Sequence, residues 1–260
     1  MFSVNHFIWL GICLILVVVG LYLLRKYNVP LGTVLTIACV VCVLSELVKL
    51  FSSMEMVESA NGKKVYPYIE LQHLPFHLCS MQILFIFYAK LASPSTKRTA
   101  VLAFMYPTCI VGAIFALLMP SLFRNGIPPE QVFVHPKAYQ YFLFHSMLII
   151  LGFYILLSGE VDIRPKHYFT SMGILGAVSV ISIYLNALCS SPVYENGKLV
   201  SVDYIPNFFF LLRVPINGIK LTEMWHWYLY LGILGVLAVS LVALFYVPVF
   251  VKAKKAKKAE

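Results

Sequence analysis

Charge is what this chain has least of. Asp, Glu, Lys and Arg make up 12% of its 260 residues, against 60% apolar ones. Soluble domains carry about twice that charged fraction, so an ordinary soluble fold is excluded. The signatures of soluble catalysis are missing too: no Gly-rich phosphate loop, no G-x-S-x-G elbow, no H-E-x-x-H zinc helix. Of the six cysteines, only Cys39 and Cys42 form a C-x-x-C, and that lies inside an apolar run. Thiols in such places are small packing residues. Neither a disulfide framework, a metal nor a cofactor is expected. Period-two alternation is too sparse for a transmembrane barrel, and no internal repeat is visible.

What the chain has is long apolar runs. Windows of about 20 apolar residues mark membrane-crossing helices. They fall near 6–24, 31–51, 71–92, 99–119, 138–157, 168–189 and 225–250. The fold class expected is all-α, a polytopic bundle of seven transmembrane helices, as one domain over 1–251 with a Lys-rich tail over 252–260. Basic residues in short loops set the orientation. With the N-terminus out and the C-terminus in, the inner side carries Arg25, Lys26, Lys90, Lys97, Arg98, Arg164, Lys166 and five tail lysines. The other basic residues, Lys63 and Arg124 among them, spread over long outer loops.

The first helix reads as an uncleaved anchor, and a multi-pass protein of the bacterial cytoplasmic membrane is the expected setting. Its partners are membrane lipids, with anionic headgroups at the tail. The net charge of +9 requires no nucleic acid, and the oligomeric state is open. Each outer loop holds an Asn-Gly turn signal: Asn61-Gly62, Asn125-Gly126 and Asn196-Gly197. The last predicts a small β-hairpin lid. Pro75 and Pro107 fall inside predicted helices, where neighbouring side chains must re-satisfy the carbonyls they free.

Polar groups concentrate in the outer half. Hydrocarbon penalises unpartnered polar groups, so these mark a bundle interior or watery cavity. On a helical wheel, His73, His77 and Ser80 share one face of the third segment, and Gln72, Cys79 and Gln82 another. Glu46, His145, Asn207, Arg213, Glu223, Trp225 and Trp227 fall at the same depth. The expectation is one site opening outward. Each member also has a quieter reading. Glu46 can pair with Lys49 at i,i+3; a membrane His can simply bond between helices; Trp225 and Trp227 can form an interfacial belt; Arg213 can hold a headgroup or anchor its loop.

Three stretches carry a resemblance. They are Leu74-Pro75-Phe76-His77-Leu78-Cys79-Ser80, then Tyr141-Phe142-Leu143-Phe144-His145-Ser146, then Asn207 to Pro215 followed by Trp225-His226-Trp227-Tyr228. Together these resemble the YwaF family of bacterial multi-pass membrane proteins, itself similar to the eukaryotic transmembrane-protein-164 group of lipid acyltransferases. The resemblance implies acyl transfer or ester hydrolysis on a lipid, with a nucleophile and a His from different helices. In the eukaryotic group a nucleophilic Cys directly precedes the motif His. Phe76 stands there in this chain, so either Cys79 substitutes, or the chemistry differs or is absent.

On this reading His77, Cys79 and His145 are the catalytic candidates, and Glu46, His73, Gln82, Asn207, Arg213, Trp225 and Trp227 meet substrate. The alternative is a transporter, flippase or binding subunit that uses the same cavity without covalent chemistry.

Overall fold

Seven α-helices follow the seven apolar runs in a computed structural model. It describes residues 3–58, 62, 64–123, 127–215 and 218–258, the side chain of Gln72 excepted. They are α1 (Val4–Lys26), α2 (Leu31–Ser53), α3 (Leu78–Leu91), α4 (Thr96–Leu118), α5 (Pro136–Leu157), α6 (Lys166–Leu188) and α7 (Met224–Ala256). All but α3 are long and apolar enough to cross a membrane. Two antiparallel hairpins, β1 (Met54–Glu58) with β2 (Val65–Ile69) and β3 (Ser191–Glu195) with β4 (Lys198–Tyr204), stand at the same end of the bundle. Asn196 and Gly197, at φ 48° and 75°, make the two-residue turn expected there. The Asn125-Gly126 signal, Asn61, Lys63 and Arg124 lie outside the described residues.

Helix starts follow the local chemistry. Ser3 caps α1 by accepting from the His6 N–H at 3.3 Å, and Ser95 caps α4 by accepting from Arg98 at 3.2 Å. Glu160, from the α5–α6 connection, takes the Leu31 N–H at 2.7 Å and so caps α2 from a distance. Pro136 opens α5, where its missing N–H costs nothing.

One expectation needs correcting. The third helix does not run over 71–92. Leu71–His73 form a single 3-10 turn, Leu74 and His77 are extended, and α3 begins only at Leu78. Pro75 is the reason: it has no N–H to donate and biases Leu74 away from helical ψ, here 148°. At 14 residues α3 is about 21 Å long, short of a ~30 Å hydrocarbon core. His73 and His77 therefore do not share a helical face.

The hub is α4, packed against α3, α5, α6 and α7, while α5 also packs on α1 and α2. In their most apolar stretches 61% of α4 and 56% of α5 is buried, against 11% of α1 and 17% of α7. Lipid tails are as apolar as side chains, so close packing rather than hydrophobicity must hold such a pair. Gly152 permits it. A Cβ there would sit 2.6 Å from Ile110 Cγ1 and 2.9 Å from the Tyr106 carbonyl oxygen. Pro107 frees the carbonyl of Ala103 four residues back, and Tyr246 of α7 donates its hydroxyl to that oxygen at 3.0 Å. The same hydroxyl meets Ser171 of α6 at 3.0 Å. A proline gap thus becomes the tie that holds α7 and α6 to the hub.

Candidate functional site

The polar residues picked out along the chain fall into separate groups around α4 and α5. The first lies between α3 and α4. Gln82, fully buried, donates to Thr108 Oγ1 at 3.0 Å and accepts from Cys109 Sγ at 3.4 Å. Thr108 in turn donates to the Phe104 carbonyl at 2.7 Å. Both ends of the Gln82 amide are engaged, so it packs the helices together.

The second group surrounds Cys79 and His145. Cys79, second residue of α3, lies with its Sγ 3.2 Å from where a Cβ on Gly112 would stand, so only glycine leaves the thiol this place. On α5, His145 Nδ1 lies 2.6 Å from the Tyr141 carbonyl, and its ring packs 4.4 Å from the Tyr141 ring. A carbonyl only accepts, so Nδ1 carries the proton and Nε2 is left as a lone-pair acceptor.

The Tyr141 hydroxyl bonds the Ala116 carbonyl at 2.8 Å. From that bond Gly112 and His145 each lie one turn, about 6 Å, in the same direction. Cys79 and His145 therefore stand level against neighbouring parts of the α4–α5 pair. No hydrogen bond joins Cys79 to His145 or His77 among the described residues.

The third group is a strap over residues 205–213. Asn186, buried at the end of α6, accepts from the Phe208 N–H at 2.7 Å and donates to the Phe208 carbonyl at 3.1 Å. Asn207 Oδ1 accepts from Leu212 and Arg213 N–H groups at 3.0 and 3.1 Å, and its amide donates to the Arg213 carbonyl. Arg213 donates to the Ile205 carbonyl at 2.8 Å, Trp227 to that of Leu211 at 2.9 Å, and Tyr230 to that of Phe210.

These ties hold Phe209 and Phe210 at φ 59° and 56°, a left-handed conformation rare for bulky residues. The strap presses Phe208 edge-on to His77 at 5.4 Å and sets Phe210 against the same ring at 5.6 Å. Asn207, Arg213 and Trp227 thus each tie the strap through at least one hydrogen bond. Trp225, by contrast, is 57% exposed and fits the interfacial belt.

The fourth group is at the rim. Glu46 is ion-paired to Lys49 of its own helix at 2.7 Å. His73 Nε2 lies 3.8 Å from Glu70 and 3.5 Å from Lys137 Nζ. Burial and the Lys137 charge hold His73 below the usual imidazole range, with Glu70 pulling the other way. No cluster of three or more His, Cys, Asp or Glu suited to a metal occurs among the described residues.

Sequence reasoning missed Tyr141 and Lys137. Tyr141 is one turn from His145, and that spacing was its available signal. Lys137 stood in a loop by the sequence reading, so its place beside His73 had none.

Six long apolar helices among the described residues, with α4 and α5 as their buried hub, define a multi-pass membrane protein. The chain belongs to the TMEM164 family, whose model matches residues 1–246. That agrees with the resemblance to the transmembrane-protein-164 group. Neither a curated protein nor a solved structure matches it.

Proposed function

We propose that this protein acts on lipid acyl esters, by transfer or hydrolysis, with Cys79 as nucleophile and His145 as general base. One observation carries the reading: the Tyr141 carbonyl holds the Nδ1 proton of His145 and leaves Nε2 in the basic form. In the proposed reaction Nε2 takes the Cys79 thiol proton and the sulfur attacks the ester carbonyl. A thioester forms as the alcohol leaves with that proton. Water or a second alcohol then attacks the thioester, and the thiol is restored.

The first amides of α3 lack intrahelical acceptors and suit the acyl oxyanion beside Cys79. His77, packed against Phe208 and Phe210, is assigned to orienting the reacting groups. The hairpin end is read as the outer side of a bacterial cytoplasmic membrane, because the opposite end holds most of the basic residues. The Lys-rich end of α7 then meets anionic headgroups. The transport alternative draws no support from Glu46, whose carboxylate is paired with Lys49.

The test is acyl exchange by the purified protein with a labelled phospholipid and a lysolipid acceptor. Cys79→Ala and His145→Ala should each lower turnover by about 100-fold or more while the protein still melts cooperatively. Undiminished turnover in either variant overturns the assignment.

A further inference from the structure

Only one end of α7 is held by the bundle. Its buried residues are Val242, Tyr246 and Val249, all in the half that runs toward the Lys-rich tail. There Tyr246 bonds Ala103 and Ser171, and Tyr106 donates to the Phe245 carbonyl at 2.6 Å. Further out, the last tie to another helix is Tyr168 to the Val239 carbonyl at 3.4 Å. Beyond it α7 stands clear: Leu229 is 55%, Ile233 60% and Val236 68% exposed. Among the described residues, the side-chain hydrogen bonds that the 224–238 stretch makes outside its own start go to the strap. They run from Trp227 to the Leu211 carbonyl, and from Tyr230 to those of Phe210 and Arg213.

The strap in turn is fastened to α6 by the buried Asn186, whose amide engages both the N–H and the carbonyl of Phe208. Phe209 and Phe210, held at φ 59° and 56°, work against that fastening. Two left-handed bulky residues cost about what two buried hydrogen bonds return, so fastened and released forms lie close in free energy. Trp227 stands about 28 Å along the helix from the Tyr246 anchor, so a small swing there carries the strap a long way.

We propose that the strap and the 224–238 stretch of α7 move as one gate over His77, with Asn186 as its latch. Closed, the gate sets the Phe208 and Phe210 rings against His77 and Phe208 against Phe76. Released, it uncovers His77 and the start of α3, two residues from Cys79. A lipid then reaches the thiol only while the latch is open. That role in turnover rests on the acyl-transfer reading, whereas the motion itself does not.

Hydrogen–deuterium exchange of the full-length protein in phosphatidylcholine nanodiscs, read by mass spectrometry, tests the motion. The Leu212 and Arg213 amides, bonded to Asn207, should exchange about 100-fold faster than those of α4 and α5. Asn186→Ala leaves Asn207 untouched, yet it should speed those two amides about tenfold and the 228–232 amides of α7 with them. Phe209→Gly, which takes φ 59° without strain, should slow the same set severalfold. Strap amides as slow as the hub, two variants that shift them in one direction, or an α7 that does not follow each overturn the gate. So does an Asn186→Ala effect that spreads to α4 and α5, which marks general loosening. Acyl exchange should rise in Asn186→Ala and fall in Phe209→Gly, and turnover indifferent to both removes the gate from the reaction. Should the wild type transfer no acyl group at all, the acyl reading falls while the deuterium rates still decide the motion.

Discussion

Gln82 and His145 sit on helices that flank α4, both buried and both polar, yet they differ in what they have left to give. Gln82 has its amide nitrogen bonded to Thr108 and its amide oxygen to Cys109. His145 has spent one nitrogen on Tyr141 and keeps the other. Burying polarity in a membrane is not in itself a sign of function. Unspent hydrogen-bonding capacity, held at a defined level by packing, is the better sign.

The comparison stands only while the frame under it holds. Gly152→Val would drive a side chain into the Tyr106 carbonyl and Ile110, so it should collapse the α4–α5 seam. The cost is about 3 kcal/mol or more, seen as loss of monodisperse protein or a large fall in melting temperature, with both residues losing their places. A variant that melts like the wild type would show that the seam does not hold them.

Replacing each residue sharpens the contrast. Gln82→Leu should lower stability by about 1 kcal/mol and leave acyl exchange nearly unchanged. His145→Ala should do the reverse. Equal effects of the two on turnover would erase the distinction drawn between them.

The smallest effect belongs to the rim. His73 titrates below its unfolded value, because of burial and Lys137, with Lys49 adding to and Glu70 opposing that shift. The neutral ring therefore contributes stability above the ordinary imidazole pKa of about 6.5, and that contribution is lost as pH falls below it. Melting temperature should drop more between pH 7.5 and 5 in the wild type than in His73→Gln. Parallel curves would remove His73 from the account.

Much of the architecture was legible beforehand. Hydropathy placed α2 at 31–51 against the observed Leu31–Ser53, because a helix in lipid must satisfy its own backbone over a set length. The Glu46–Lys49 pair was legible as well, since i,i+3 spacing on one helix needs no tertiary information. The break at Pro75 is visible as a residue, but the apolar window over 71–92 runs a helix straight through it. Nothing local showed that a 3-10 turn and an extended segment would precede α3.

The strap was the least legible part. Asn207 and Arg213 carry the chemistry of headgroup recognition, yet the side-chain bonds they make here tie backbone groups five to eight residues away in their own loop. Asn186 reaches across 22 residues to Phe208.

Sequence alone determined that this is an all-α, multi-pass membrane chain, because apolar run length and the backbone's need for partners admit little else in a bilayer. It also determined which residue types were able to carry chemistry. Only the tertiary structure decided which of them retain capacity for it. A hydrogen bond consumes a donor and an acceptor wherever the fold brings them together, and that meeting depends on packing, such as the glycine contacts along α4 and α5, that no spacing along the chain reveals.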